Sequence, residues 1–423
     1  LLREGMTKQP VASLEKLLAH ADRRVRQQAQ LELVRRGEVD ALLASIAPQK
    51  PQFGRLHAIW GLSHLLRTGN PPAATAERIA SQLVALLDDE DAEVRCQAAW
   101  VIGDRQIAAG EEKLLARLAS EEPRPQHFFA AALGKLQSKA AVPPMLNLLA
   151  ANDNRDPIIR HGAIMGLVGA GADAVHVAAS KHLSSAARLG AVVALRKLES
   201  PLLTAYLNDA DALVKVEAAR AIHDVPVTEG LAALAAVELH PQDDNALVRR
   251  VLNARFRLGT PEAAVSLVAY AARADHPADM RVEALKMLAE WAKPDSRDRV
   301  HGMWRPIEPR SDAPAREALL AQLGNLVAAP EAIRNQTVKT AVALGIKEIA
   351  PALLTIVQND GESPENRGAA LTALAELGAP ETMSLVEKAL ESPAASLRVA
   401  ALGILIRRTP EAALDRAVAA TNS

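Results

Sequence analysis

The stretch at residues 91–98, DAEVRCQA, carries in eight residues the pattern that decides the fold. Asp91 is of a type whose side chain accepts hydrogen bonds from the free N–H groups in the first turn of a helix. Arg95 follows four positions later, and Ala98 stands three positions after Arg95. Because a small side chain lets a neighbouring helix approach closely, the stretch predicts the start of a tightly packed helix.

The same pattern occurs twelve times along the 423 residues, and most successive basic residues are 27–34 positions apart. A period of this length is the signature of a tandem repeat. The basic residue is arginine in ten repeats, lysine in one and histidine in one: Arg26, Arg55, Arg95, His127, Arg160, Arg188, Lys215, Arg249, Arg281, Arg334, Arg367 and Arg398.

The residues on either side of the basic position indicate which secondary structure each repeat forms. Four positions before the basic residue stands Asp, Asn, Ser or Pro in eleven of twelve repeats, and these residues begin helices. Examples are Asp22, Pro51, Asp91, Asp156, Ser184, Asp211 and Asn245. A second apolar helical segment, such as SLEKLLAH at 13–20, precedes each of these starts. One helix pair cannot bury its apolar face alone, so neighbouring pairs must stack. The sequence predicts an all-α fold, a right-handed α-α superhelix of about twelve helix pairs.

The composition of the chain argues against several classes of function. The chain is 49% apolar and only 2% aromatic, which favours closely stacked helices, and its net charge of −1 offers no general attraction to nucleic acid. A single cysteine, Cys96, excludes an internal disulfide and any CxxC site. We find neither a signal peptide nor an apolar run long enough to cross a membrane. The start at Leu1 rather than Met indicates a processed chain or an excised fragment.

The repeated Asp-x-x-Val-Arg phrase resembles the short HEAT repeat of about 30 residues, the type also found in bilin lyases, and this resemblance covers essentially the whole chain. It implies that the twelve basic residues join neighbouring turns and form no binding site. We therefore expect one solenoid over residues 1–423, with repeats one to nine in 1–290 and repeats ten to twelve in 313–423.

An insertion interrupts the array at residues 291–312, within the phrase EWAKPDSRDRVHGMWRPIEPRSD. Arg281 and Arg334 are 53 positions apart, where about 32 would suffice. Its prolines prevent a continuous helix, and two tryptophans supply apolar mass that a solvated loop does not need. The sequence predicts an ordered, packed loop.

Candidate partner-binding residues lie where the array is irregular, because the regular positions are committed to stacking. Trp291 would anchor the loop, and Trp304 with Arg305 would contact either the basic neighbourhood around Arg249 and Asn253 or a partner. The alternative is that both tryptophans fill a gap in the stack. The complete predicted set is Trp291, Arg297, Asp298, Arg299, Trp304, Arg305, Arg249, Arg250, Asn253, His223, Asp224, His57 and Trp60.

The phrases RLHAIWGL, DPIIRHGAIMGL, AARAIHDVP, RRVLNARFRLGT and EWAKPDSRDRVHGMWRP resemble the helical-repeat region of large exported bacterial proteins. In those proteins a sugar-dehydrogenase-like propeller precedes the repeats and a c-type cytochrome domain follows them. The resemblance implies an electron-transfer assembly in the periplasm or outside the cell, with the cytoplasm as the alternative. This chain has no CxxCH haem motif, so any redox chemistry would belong to other domains.

We accordingly predict a non-catalytic, monomeric scaffold that holds protein domains, with no catalytic residue, metal, cofactor, nucleic-acid partner or membrane insertion. No HExxH, GxSxG or Walker A motif occurs in the sequence. Two alternatives remain open: a DNA-binding protein of the HEAT-like glycosylase type, and a bilin-lyase-like protein.

Overall fold

A computed structural model of the chain describes residue 3 and residues 5–421, with side chains as far as residue 414 and at residue 416. The chain divides into two compact units, Leu1–Val227 and Thr228–Ser423. Apart from the insertion at 291–312, helices joined by turns make up the described part of both units, which contains no β-strand. One isolated antiparallel bridge joins Arg297 to Trp304. The prediction of an all-α fold is confirmed.

The first unit alternates short first helices with longer second helices. The helices are α1 (Val11–Leu17), α2 (Arg23–Arg36), α3 (Val39–Ser45), α4 (Gln52–Thr68), α5 (Ala73–Ala85), α6 (Ala92–Asp104), α7 (Glu111–Leu118), α8 (Pro123–Lys135), α9 (Val142–Asn152), α10 (Pro157–Ala170), α11 (Ala172–Ala179), α12 (Ser185–Lys197) and α13 (Ala212–Asp224). A 3₁₀ helix, Pro201–Tyr206, takes the place of the first helix before α13. Successive second helices pack side by side in the order α2, α4, α6, α8, α10, α12, α13.

The second unit continues the alternation. Its helices are α14 (Leu231–Ala235), α15 (Asn245–Leu258), α16 (Pro261–Ala272), α17 (Ala278–Ala289), α18 (Ala313–Val327), α19 (Glu331–Ala343), α20 (Ala350–Gln358), α21 (Pro364–Leu377), α22 (Thr382–Leu390), α23 (Ala395–Arg408) and α24 (Pro410–Thr421). The second helices α15, α17, α19, α21 and α23 pack on one another in that order.

All twelve basic positions of the sequence pattern lie on the second helix of a pair. The predicted helix-pair repeat is therefore confirmed, with seven of these helices in the first unit and five in the second. The right-handed twist and the single solenoid over 1–423 stay predictions.

The predicted helix starts are formed by side-chain caps. The Oδ1 atom of Asp91 accepts hydrogen bonds from the backbone N–H groups of Glu93, at 2.8 Å, and Val94, at 3.3 Å. The same capping occurs at Asp22, Asp156, Ser184 and Asp211. The prediction for Asn245 is wrong by one residue, because Asp244 caps α15 and Asn245 is its first helical residue.

Small residues allow the second helices to approach closely. The alanines three positions after the basic residue, among them Ala29, Ala58, Ala98, Ala163 and Ala218, are completely buried. Between α8 and α10 even alanine is too large, because a Cβ atom at Gly169 would lie 1.8 Å from the carbonyl oxygen of Gly134. The backbones of these two helices are therefore in direct contact.

The repeated arginine holds the turn before its own helix. Nη1 of Arg95 donates to the backbone carbonyls of Asp89, at 2.9 Å, and Glu90, at 3.0 Å. These carbonyls lie six and five residues before the arginine. Arg26, Arg188 and Arg398 bind carbonyls at the same two positions. Each guanidinium thus fixes the turn that joins the two helices of its repeat.

The same arginines also join one repeat to the next. Nη2 of Arg95 lies 2.9 Å from a carboxylate oxygen of Glu121, in the turn that precedes the next second helix. The partner is not the helix-capping acid Asp91, so capping and cross-repeat pairing use different acidic residues. The expected connection between turns is thus present at Arg95. It also occurs in the pairs Arg55–Asp89, Arg188–Asp209 and Arg334–Glu362.

The Arg188–Asp209 pair allows the contribution of a cross-repeat ion pair to stability to be tested, because both side chains are largely buried and lie 2.7 Å apart. Burial alone would raise the pKa of Asp209, but hydrogen bonds from Arg188 and from the backbone N–H of Asp211 hold that pKa below its ordinary value. Arg188→Met leaves the buried carboxylate without its cation, and we expect a loss of about 3–5 kcal/mol in the free energy of unfolding. Urea unfolding followed by circular dichroism measures the loss.

Two further variants make this test specific. Arg188→Met combined with Asp209→Asn removes the stranded charge and keeps a hydrogen-bond acceptor, so it should regain most of the lost stability. Arg24→Met removes one member of an exposed pair, Arg24–Asp22, and should change the unfolding curve little. A double variant no more stable than Arg188→Met alone would contradict the role given to the buried charge.

Candidate functional site

The insertion loop (residues 291–312) is ordered, as the sequence predicts, and its middle part, residues 296–305, forms a hairpin that the sequence did not predict. The backbone N–H of Asp298 donates to the carbonyl of Met303 at 2.8 Å, and that of Arg305 donates to the carbonyl of Ser296 at 2.9 Å. Gly302, with φ of +71°, lies in the turn between the two segments that these hydrogen bonds join. Its backbone N–H donates to the carbonyl of Asp298 at 2.8 Å.

Trp291 and Arg310 tie the two ends of the insertion loop together. The Trp291 side chain is fully buried, with its ring edge-on to Phe256 at 6.1 Å. The Arg310 guanidinium lies 4.0 Å from the centre of the Trp291 ring and 5.0 Å from that of Phe256. Its Nε atom also donates to the carbonyl of Trp291 at 2.9 Å. Burial lowers the pKa of Arg310 to about 10, so this cation remains charged at neutral pH.

Asp298 fixes the middle of the loop to α15. Its side chain is completely buried and accepts a hydrogen bond of 2.9 Å from Nδ2 of Asn253. Arg257 and Arg305 bring guanidinium nitrogens within 3.4 Å and 3.6 Å of the same carboxylate. The backbone N–H of Val300 donates to Asp298 at 2.9 Å. Burial, followed by the proximity of Arg305, lowers the pKa of Arg257.

Arg299 fixes the loop to the end of α17. Its Nε atom lies 2.8 Å from a carboxylate oxygen of Glu283, and Nη1 pairs with Glu290. Arg297 is exposed, and its Nη1 atom donates to the carbonyl of Gly302 at 3.1 Å. The charged residues predicted in the loop are thus used for holding its shape.

The loop tip (Met303 and Trp304) carries the exposed large apolar side chains of the insertion loop, with 61% of Met303 and 70% of Trp304 accessible to solvent. Arg305 reaches the neighbourhood of Asn253 through their shared carboxylate on Asp298. The alternative in which both tryptophans fill a gap holds for Trp291 and is wrong for Trp304. The structure presents one large aromatic side chain on a braced support.

The predicted basic neighbourhood does not form one continuous basic surface on α15. Arg249 is exposed, whereas Asn253 is buried and Arg250 donates from Nη1 to the carbonyl of Ala246 at 2.9 Å. In the first unit, His223 is buried, and its Nδ1 atom lies 2.8 Å from Oδ1 of Asp224.

His57 and Trp60 lie together in the first unit. The two rings are edge-on at 4.9 Å, and Nδ1 of His57 is 2.8 Å from Oε1 of Gln30. Burial, assisted by the positive charge of Arg26, lowers the pKa of His57 to about 4. The imidazole is therefore neutral at pH 7. Nε1 of Trp60 donates to Oε1 of Gln97 at 2.9 Å.

Sequence analysis missed the groove that Trp60 helps to form. Trp60, Trp100 and Phe128, on three successive second helices, line an open cavity of about 430 Å³. The sequence did contain a pattern that could have revealed this groove: Trp60 and Trp100 each stand five residues after the basic residue of their repeat. The roles of Phe256 and Arg310 in anchoring the loop were also missed, because nothing in the repeat pattern marks them.

Among known protein families, the family of HEAT repeats matches residues 79–168 of this chain. No curated protein matches the chain. Among solved structures, human deoxyhypusine hydroxylase is 16% identical over 91% of this chain and 97% of its own, with a TM-score of 0.26. Yeast importin-beta (Kap95p) is 14% identical over 99% of this chain, with a TM-score of 0.40. Kap95 in its complex with Nup1 is 14% identical over 96% of this chain, with a TM-score of 0.43.

The chain spans 66% of the length of yeast importin-beta and 64% of the Kap95 chain bound to Nup1. By length and composition, none of the individual helices among the described residues meets the requirements of a membrane span. The bent pair Pro157–Ala170 and Ala172–Ala179 meets them only when its two helices are taken together.

The two tryptophans of the loop should differ sharply in their effect on stability. We expect Trp291→Ala to lower the free energy of unfolding by about 3–5 kcal/mol, because it empties a buried site and removes the ring beneath Arg310. Trp304→Ala should change it by less than about 0.5 kcal/mol, as for other exposed side chains. Urea unfolding followed by circular dichroism compares them, and equal losses would contradict the anchor and tip assignment.

His57 should make the first unit less stable in mild acid. Because its pKa is about 4 in the folded chain and about 6.5 when unfolded, only the unfolded state binds a proton between these values. Stability therefore falls as pH decreases from 6.5 to 4, with a slope of at most about 1.4 kcal/mol per pH unit from this residue. The measurement is the urea midpoint against pH for the unsubstituted chain and for His57→Gln. Parallel curves would count against a buried neutral His57.

Proposed function

We propose that this chain is a non-catalytic scaffold for protein interaction and that a partner protein binds the loop tip. The observation that carries the proposal is the 70% exposure of Trp304 in an otherwise anchored loop. An exposed tryptophan offers a large apolar contact area with few rotatable bonds, and this residue type dominates the energetics of many protein interfaces.

The contacts that hold the loop tip in place support this function, because they reduce the entropy cost of binding a partner. The hairpin hydrogen bonds, the buried Asp298 and the Trp291–Arg310 contact fix the loop before any partner arrives. The conformational entropy of the loop is then lost on folding and does not oppose binding. A packing role for Trp304 would instead require burial, which this side chain does not have.

For the partner, we propose redox domains of the kind that the sequence resemblance implies, a sugar-dehydrogenase-like propeller or a c-type cytochrome, in an exported bacterial electron-transfer protein. The phrase EWAKPDSRDRVHGMWRP, at residues 290–306, is one of those that carry this resemblance. It also supplies the loop tip. The resemblance and the exposed surface therefore point to the same residues.

The test uses the full reading frame that encodes the chain. Domains of these two kinds, where the frame encodes them, are expressed separately and titrated against the chain by calorimetry. Trp304→Ala should weaken the complex by about 30-fold or more, the effect of losing an interface residue worth 2 kcal/mol. Leu183→Ala, which truncates another exposed apolar residue, is the matched control and should leave the affinity unchanged.

Three results would overturn the proposal. One is a reading frame that encodes neither kind of domain, and another is equal affinity of the chain and of Trp304→Ala for the domain. A third is salt-dependent binding to duplex DNA, or a red-shifted absorption band with added bilin, in place of protein binding; each would favour one of the two alternative functions.

A further inference from the structure

A second surface of the molecule, the aromatic groove, lies wholly within the unit Leu1–Val227. It is defined by Trp60 on α4, Trp100 on α6 and Phe128 on α8. Trp100 is 41% exposed, and the other two rings are partly exposed. The groove is built from regular repeat positions of the first unit.

The spacing of the two tryptophans matches one kind of peptide conformation. Trp60 and Trp100 each stand five residues after the repeated arginine, so they occupy equivalent places on neighbouring packed helices. Packed helices are about 8–10 Å apart. A polyproline II helix has three residues per turn and rises about 3.1 Å per residue, so it presents the same face about every 9 Å. Residues i and i+3 of such a peptide can therefore lie against Trp60 and Trp100.

Charge around the groove favours an acidic ligand. Arg67 is exposed at its rim, and Arg105 and Lys135 both pair with the single carboxylate of Asp104. Nζ of Lys135 also lies 5.7 Å from the centre of the Trp100 ring. Arg67, Arg105 and Lys135 carry three positive charges and Asp104 carries one negative charge, so the net charge of this set is +2.

The remaining ion pair beside the groove leaves this balance unchanged. Arg124 pairs with Glu93 at 2.7 Å and lies over Phe128 at 5.2 Å, so it adds no net charge. A segment with carboxylates beside its apolar residues would thus meet complementary charge along the groove.

Hydrogen bonding at the groove also suits an extended chain. The indole N–H of Trp60 is occupied by Gln97. The indole N–H of Trp100, in contrast, donates to no residue in the part of the chain that the structure describes. A polyproline II segment leaves its backbone carbonyls without internal hydrogen bonds, so one carbonyl can accept from Trp100.

We propose that the aromatic groove binds an acidic, proline-containing peptide segment in the polyproline II conformation. Prolines at i and i+3 stack on Trp100 and Trp60, and the acidic side chains face Arg67, Arg105 and Lys135. Aromatic-lined grooves suit this ligand because the peptide is already extended and loses little conformational entropy on binding. This site is separate in sequence and in ligand chemistry from the loop tip.

The experiment measures fluorescence anisotropy of three labelled peptides titrated with the whole chain: EPPEPPEPPE, KPPKPPKPPK and EGGEGGEGGE. The first combines proline spacing with negative charge, and the others each lack one of these properties. We expect the first peptide to bind at least about ten-fold more tightly than the others, with an affinity that falls as salt is added. Equal binding of the three peptides, or no binding of the first, would overturn the proposal.

Substitutions locate the site. Trp100→Ala and Arg67→Glu should each weaken binding of EPPEPPEPPE by about five-fold or more, whereas Trp100→Phe, which keeps an aromatic ring, should retain most of it. The matched controls Leu183→Ala and Lys181→Glu change exposed residues outside the groove and should have no effect. Circular dichroism verifies that each variant is folded. Unchanged binding by Trp100→Ala would refute this groove as the site, and it would leave partner binding at the loop tip unaffected.

Discussion

The contacts between repeats depend above all on the guanidinium group that ten of the twelve repeats place in the first turn of the second helix. Arg95 binds two carbonyls of the turn before it and a carboxylate of the turn that follows in the next repeat. One planar group with five donors can satisfy both sets of acceptors at once, which a lysine ammonium does less well. Where this pair forms, it ties the turn of one helix pair directly to the turn of the next.

The surfaces that this scaffold presents differ in origin. The insertion loop gains its shape from contacts outside the repeat pattern, above all the buried Asp298 and the stacking of Arg310 on Trp291. The aromatic groove uses residues of the regular helices: two neighbouring repeats carry tryptophan at the same place, and the third carries Phe128. A repeat protein can thus expose aromatic side chains where its period is interrupted and also at regular positions of the repeat.

The sequence was sufficient to predict the repeat, its helix starts and its buried alanines, because these depend on contacts that recur at fixed spacing. Asp91 and Ala98 have the predicted roles for this reason. The loop was predicted to be ordered, with Trp291 as its anchor and Trp304 as a contact residue. The sequence could not decide between this assignment and burial of both tryptophans, since both lie close to prolines in the same insertion. Their fates depend on Phe256 and Arg310, which are 35 and 19 residues from Trp291 and show no periodic relation to it.

The insertion loop is closed at the point where it joins the helical stack, and this allows the sequence of its tip to vary. Arg310 binds the carbonyl of Trp291, so the chain leaves the helical stack and returns to it at adjacent points. The flanking helices still make their neighbour contacts, with α16 against α18 and α17 against α19. The residues at the tip are consequently insulated from the folding of the array. Substitutions of the exposed side chains of Met303 and Trp304 can therefore change the surface of the loop while the repeats that support it stay as they are.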